Sequence, residues 1–271
     1  MEVARAADLA ARGVEVVTAD LADQTALVQA FDGVDAVVSN AALGSWQGSL
    51  ADYRRVNVQG TTHVLDAMQS TGVQRLVHIS TVAVGRTQLG RWADEHVERY
   101  GRSGRRGAWQ PSDLTTDWRY ALTKSEAESL VRQRMPALQA TILRPGPIFG
   151  PGDPKLTRKY LRQWQSAVCF APTARVPHVC ATDVAAAAAA ALERPVSIGR
   201  TYTLAGPPVS PYAVLRELKR LTGRGALLIP IPVPTWVGFI HHRATRDLGF
   251  TSRPLSQTLA AVLKREELWE K

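Results

Sequence analysis

The chain has 271 residues, 45% hydrophobic and 21% charged, enough for one large α/β core or a core with a small lobe. Its net charge of +9 and pI near 10.0 come from scattered basic residues, without an aromatic–basic RNA motif or zinc-finger spacing, so no nucleic-acid partner is expected. Cys169 and Cys180 cannot build a disulfide framework and fit a reducing cytosol, and the first twenty residues hold no apolar signal core, so a cytoplasmic protein is expected.

In chain order, the β-branched run 14–17 predicts a buried strand leading to Asp20 and Leu21. Residues 24–31 have helical spacing, with Leu27, Val28 and Phe31 apolar. The next strand is predicted over 35–38, followed by Ser39, Asn40, Ala41 and Ala42. A long helix is expected over 53–70, where Val56, Val64, Leu65 and Met68 can share a face. Residues 75–80 read as a third strand, ended by Gly85. Short apolar strands alternating with helices predict an α/β fold, a doubly wound parallel sheet covered on both faces.

Residues 86–117 are polar and rich in Arg and Gly, which predicts an irregular surface insertion. The Arg99, Arg102, Arg105 and Arg106 cluster within it fits a solvated loop or an anion contact. A helix is predicted over 118–135 and stopped by Pro136, followed by a strand over 140–143 and a stiff Gly/Pro loop to Asp153. Asp183 suits a helix N-cap before an Ala-rich run. The C-terminal third, with a strand over 201–204 and a helix over 211–221, reads as a smaller lobe. Its apolar run 226–240 is interrupted by Pro230, Pro232 and Pro234, which argues for a packed surface loop over a membrane-facing one and excludes membrane insertion.

Tyr120 and Lys124 are four residues apart on a predicted helix and share a face with Ala127 and Val131. An ammonium beside a phenol lowers the phenol's pKa and makes it a usable acid/base, although a solvated Tyr/Lys pair shows the same spacing. Ser80 and Thr81 close a predicted parallel strand, the end at which open α/β sheets place ligands. Asn57 reads as a polar helix residue or as a carboxamide that binds backbone or water.

The ordered set of motifs resembles the extended short-chain dehydrogenases/reductases, the NAD-dependent epimerase/dehydratase family. The pieces are Ala19-Asp20-Leu21, Asn40-Ala41-Ala42, Asn57-Val-Gln-Gly-Thr61, His78-Ile-Ser-Thr81, Tyr120-Ala-Leu-Thr-Lys124, Leu143-Arg-Pro145 with Gly150-Pro-Gly-Asp153, and Arg246-Asp-Leu-Gly-Phe250. The resemblance spans nearly the whole chain. It implies a Rossmann-like core over 1–200 and a small substrate-binding lobe, mainly 201–271, interleaved with it. It also implies NAD or NADP as cofactor, a small-molecule substrate and tolerance of a homodimer. By resemblance, Asp20 and Leu21 contact adenine, and Asn40, Ala41 and Ala42 pass under the cofactor. Ser80 or Thr81 positions the reacting oxygen, Tyr120 exchanges its proton and Lys124 holds the nicotinamide ribose. Pro145 to Ile148 borders the nicotinamide, and Asn57 supports Lys124 through backbone or water.

Two departures qualify the expectation. The family's dehydratases place an Asp-Glu pair after the hydroxyl residue; Val82 and Ala83 stand there, so dehydration is not expected. No G-x-G-x-x-G or G-x-x-G-x-x-G occurs in residues 1–60. Relative to the family, a βα unit plus a strand, about 30 residues, precedes the segment that opens this sequence. An N-terminally truncated sheet is therefore expected. The function expected is an NAD(P)-dependent oxidoreductase or epimerase working by Tyr-Lys assisted hydride transfer. The alternative is a catalytically impaired remnant acting as a binding or interaction protein.

Overall fold

The computed structural model describes residues 2–44, 47–85, 92–93 and 117–268. The elements, in order, are α1 (Glu2–Ala11), α2 (Gln24–Phe31), β1 (Ala36–Ser39), α3 (Gly60–Thr71), β2 (Arg75–Ile79), α4 (Trp118–Arg134) and β3 (Gln139–Pro145). After them come α5 (Leu156–Trp164), β4 (Val168–Pro172), α6 (Ala181–Glu193), β5 (Thr201–Leu204), α7 (Pro211–Thr222), β6 (Leu227–Ile231), α8 (His242–Leu248) and α9 (Leu255–Arg265). Among the described residues no helix is long and apolar enough to cross a membrane.

Strands β1, β2, β3 and β5 form one sheet in the order β1-β2-β3-β5, every pairing parallel. Its central strands are apolar almost without interruption because both faces are covered. On one face Leu27, Val64, Leu65, Met68 and Val131 from α2, α3 and α4 pack onto Val37, Leu76 and Ile142. On the other, Ala187, Ala188 and Ala191 of α6 lie against Val77, Leu143, Tyr202 and Leu204. Small side chains let the Ala-rich helix approach the sheet closely. The doubly wound parallel sheet expected from the sequence is the observed fold. Strand β5, which the sequence groups with the C-terminal third, pairs with β3.

Local chemistry fixes the ends of the helices. Asp23 caps α2 by accepting from the Ala26 amide at 3.0 Å, and Gly72 ends α3 in the left-handed region at φ 74°. A second apolar cluster joins α5, α7 and α9 through Trp164, Leu215, Leu218, Leu259 and Leu263, with Cys169 and Ala171 of β4 turned into it.

Three elements differ from expectation. Residues 14–17 form no strand, and Val14, Val16 and Val17 lie exposed. A β-branched run becomes a strand only when a neighbouring ladder satisfies its amides, and β1 pairs on one side only, with β2. The helix α1 was not anticipated. The helix over 53–70 is interrupted by a π-helical stretch, Arg54–Gln59, before α3. Within the expected insertion, Trp92–Ala93 pairs with Gly238–Phe239, while the Arg99 to Arg106 cluster lies outside the described residues.

Candidate functional site

The C-terminal ends of the parallel strands β1, β2 and β3 lie side by side, and α4 starts against them. The start of α4 is pinned by the buried carboxylate of Asp117. It accepts from the Arg119 amide at 3.0 Å, from the Arg119 guanidinium at 2.9 Å and from the Tyr53 hydroxyl at 3.0 Å. This places Tyr120 in the first turn and Lys124 one turn on, the latter buried.

Lys124 donates from Nζ to the Ile79 carbonyl at 2.8 Å, at the last residue of β2. Burial pulls its pKa down to about 8, with the Glu128 carboxylate acting in the opposite direction. Tyr120 is half-buried, with the Thr81 side chain close enough to act on its phenol. Burial pushes its phenol up, Thr81 pulls it down, and burial wins. The expected lowering by Lys124 is therefore corrected: the ammonium is committed to a backbone carbonyl, and the phenol stays in its acid form at neutral pH.

The two hydroxyls at the end of β2 face different ways. Ser80 is buried and donates to Glu128 Oε2 at 2.8 Å. Arg144 grips the same carboxylate in two-point fashion, Nη2 to Oε1 at 2.7 Å and Nε to Oε2 at 3.0 Å, and Arg132 adds Nε to Oε1 at 3.0 Å. Burial alone would raise the Glu128 carboxyl, but Arg144, Arg132 and the Ser80 hydroxyl outweigh it and hold it at about 2. Thr81, not Ser80, stands beside Tyr120. Successive residues of an extended chain point to opposite sides, so only one of the pair can reach the phenol.

Asn57, on the π-helical stretch, is buried, and its carboxamide bonds both polar groups of Leu43. Oδ1 accepts from the Leu43 amide at 2.7 Å, and Nδ2 donates to the Leu43 carbonyl at 3.2 Å and to Thr123 Oγ1 at 3.1 Å. It braces the segment after β1 against α4 next to Lys124, through Thr123 and without bonding Lys124 itself. Asn40, Ala41 and Ala42 lie exposed just past the end of β1. Asp20 is exposed and bonds the Ala22 amide at 2.8 Å. Leu21 packs so closely on Gly60 that a Cβ there would lie 2.9 Å from it. Pro145 is buried at the end of β3, and Ile148 is exposed.

Sequence reading missed Glu128 and Thr123 and gave Arg144 no role. Glu128 lies four residues beyond Lys124, on the helical face already identified, and that spacing was the available signal.

These residues fit the nicotinamide and ribose end of a dinucleotide. A phenol, a hydroxyl and an ammonium converge at the open end of the sheet. At Gly146 a Cβ would meet the Pro177 carbonyl at 3.3 Å, so the bare backbone that leaves β3 packs closely on residue 177. Among the described residues no Gly-rich turn opens a helix there to take a pyrophosphate.

The model of a family described as the NAD dependent epimerase/dehydratase family matches residues 2–205. Over 151 residues the chain is 38% identical to the 2-alkyl-3-oxoalkanoate reductase of Stenotrophomonas maltophilia, a match covering 55% of this chain and 42% of that protein. It thus spans less than half the length of that relative. Over 240 residues it is 28% identical to sterol demethylase protein B of Methylococcus capsulatus, covering 85% of this chain and 69% of the other. The fold is similar to that of UDP-glucuronic acid 4-epimerase from Bacillus cereus, solved in complex with NAD. There the TM-score is 0.78 at 19% identity, over 98% of this chain and 86% of that one. It is also similar to RMD from Pseudomonas aeruginosa complexed with NADPH, with a TM-score of 0.77 at 20% identity over 95% of this chain and 90% of that one. With the match running from the first helix past the last strand of the sheet, the chain belongs to the NAD-dependent epimerase/dehydratase family.

Proposed function

We propose that this chain carries the substrate-facing residues of an NAD(P)-dependent oxidoreductase acting at a carbonyl or carbinol carbon of a small molecule. One observation carries the reading: Tyr120 stands beside Thr81 at the open end of a parallel sheet, one helical turn from the buried Lys124. Bound nicotinamide supplies a hydride donor or acceptor. Tyr120, kept protonated by burial, gives its proton to the substrate oxygen, which favours reduction at neutral pH. Thr81 orients that oxygen, and Lys124 holds the ribose. Asp20, Leu21 and the exposed Asn40, Ala41 and Ala42 line the adenine side, and Pro145 and Ile148 border the ring. Ser80 acts through Glu128 as a positioning residue, and Asn57 acts likewise through Leu43 and Thr123. Val82 and Ala83 offer no proton for loss of water. The 38% identity to a 2-alkyl-3-oxoalkanoate reductase supports the reductive direction. The free, buried Cys169 and Cys180 go with a cytoplasmic location.

The test pairs calorimetric titration of NADH and NADPH with loss of reduced-nicotinamide absorbance in the presence of a 2-alkyl-3-oxoalkanoate. Tyr120→Phe is expected to keep cofactor affinity and to lower turnover by roughly 10²–10⁴-fold. Unchanged turnover in that variant, or a wild-type chain that binds neither cofactor, overturns the proposal.

A further inference from the structure

The ladder of β4 and β6 has one face covered and one bare. Cys169 and Ala171 turn into the cluster that holds Val214, Leu215 and Leu218 of α7, while Val168, Phe170, Leu227, Ile229 and Ile231 are exposed. The register sets Val168 beside Leu227 and Phe170 beside Ile229, so the five side chains form one strip. Phe170 is 62% and Leu227 61% exposed. Strand alternation accounts for the inward set. Outward positions of a half-covered ladder are ordinarily polar, and a bare apolar one marks an interaction surface.

The surrounding charge identifies what covers it. Residues 154–182, which build α5 and β4, hold Lys155, Arg158, Lys159, Arg162 and Arg175 and no Asp or Glu. Residues 218–245, which close α7 and build β6, hold Lys219, Arg220, Arg224 and Arg243, again with no acidic residue. Nine cations lie in these two stretches, one of which, Arg220, pairs with Glu217 at 2.7 Å. Helices α5 and α7 pack together on the covered side and end where the two strands begin, so Arg224, in the turn that enters β6, lies at one end of the strip. Arg175 lies just past the other end. Both are exposed, and neither has a carboxylate partner among the described residues.

We infer that this strip is a membrane-contact surface, by which the chain docks peripherally on an anionic lipid bilayer. The apolar side chains enter the boundary between headgroups and acyl chains, and the flanking cations meet lipid phosphates. No spanning element is involved. A second copy of the chain would cover the apolar strip equally well, but it would bring two cation-rich faces together, and like charges at that distance repel.

The experiment is co-sedimentation of the full chain with vesicles of three parts phosphatidylcholine to one part phosphatidylglycerol, and with pure phosphatidylcholine. Binding is expected to the anionic vesicles, at least about tenfold weaker to the neutral ones, and weakened by salt. Phe170→Ser with Ile229→Thr is expected to lower it by about tenfold or more, and Arg175→Gln with Arg224→Gln by a similar factor, about fivefold per cation. Leu227→Ser serves as an independent apolar variant, with circular dichroism reporting the fold of each. Three results overturn the inference: no sedimentation of the wild type, equal binding by the apolar variants, or a solution dimer that Phe170→Ser dissociates.

Discussion

Two parallel-paired regions of the molecule, the central sheet and the β4–β6 ladder, differ in what lies on them. In the central sheet, Leu76, Val77, His78 and Ile79 of β2 are all buried, because helices cover both faces. In the β4–β6 ladder burial alternates along β4, β6 is mostly exposed, and the outward set stays apolar. The backbone hydrogen bonding is of one kind in both. Stability therefore resides in the cover rather than in the ladder: a large apolar side chain contributes about 1.5–3 kcal/mol when it leaves water and almost nothing when it does not.

The sharpest way to break this comparison is at the charge buried beneath the covered sheet. Glu128→Ala leaves the Arg144 guanidinium, 3% exposed, without its two-point partner. The expected cost is about 3–5 kcal/mol, read by calorimetry as a melting temperature lower by roughly 10 °C. Ile142→Ala, in the middle of β3, is expected to cost about 3 kcal/mol in a urea titration. A loss under about 1 kcal/mol would mean that the helices do not cover the strand as described.

Acid acts on buried groups in both regions, His78 and Glu128 at the central sheet and His178 beside Phe149 and Tyr160 of the second cluster. His78 is buried with neither imidazole nitrogen bonded to a described residue, and burial first, then the nearby Lys124, hold it at about 3 against an ordinary 6.5. Burial likewise holds His178 at about 4. Both stay neutral in the fold and take up protons on unfolding, so stability present above pH 6.5 is lost as pH falls toward 3. Glu128 adds a second loss as pH falls from its ordinary 4.5 to about 2. Melting temperature measured from pH 7 downward is expected to fall in both windows. His78→Leu should flatten the upper one without abolishing it, because His178 remains; an unchanged profile would remove His78 from the account. The smallest expected effect is Phe170→Ser on the bare ladder, within about 0.5 kcal/mol in the same urea titration that Ile142→Ala shifts strongly.

What was legible in the sequence was local or periodic. The i, i+4 spacing placed Tyr120 and Lys124 on one face, and the alternation of apolar strands with helices gave the doubly wound sheet. Choosing between Ser80 and Thr81 needed the direction of the last strand residue, which composition does not carry. The bonds from Glu128 to Ser80 and Arg144 join different elements and leave no pattern in any short window. The run 14–17 misled for the opposite reason: its residues suit a strand, but pairing is a property of the neighbour and not of the segment.

Asn57 has a consequence of its own. By bonding the N–H and the C=O of Leu43 together, its carboxamide does what a peptide group of an adjoining strand would do. The turn after β1 is thus held at Leu43 by a borrowed rung, and at Gly44 by the Tyr53 hydroxyl, which donates to its carbonyl at 2.8 Å. A carboxylate of equal size would keep the acceptor and lose the donor, and a longer amide would overshoot. The position of the segment expected to lie under the cofactor is therefore set by side chains reaching across from a helical stretch, and not by a neighbouring strand.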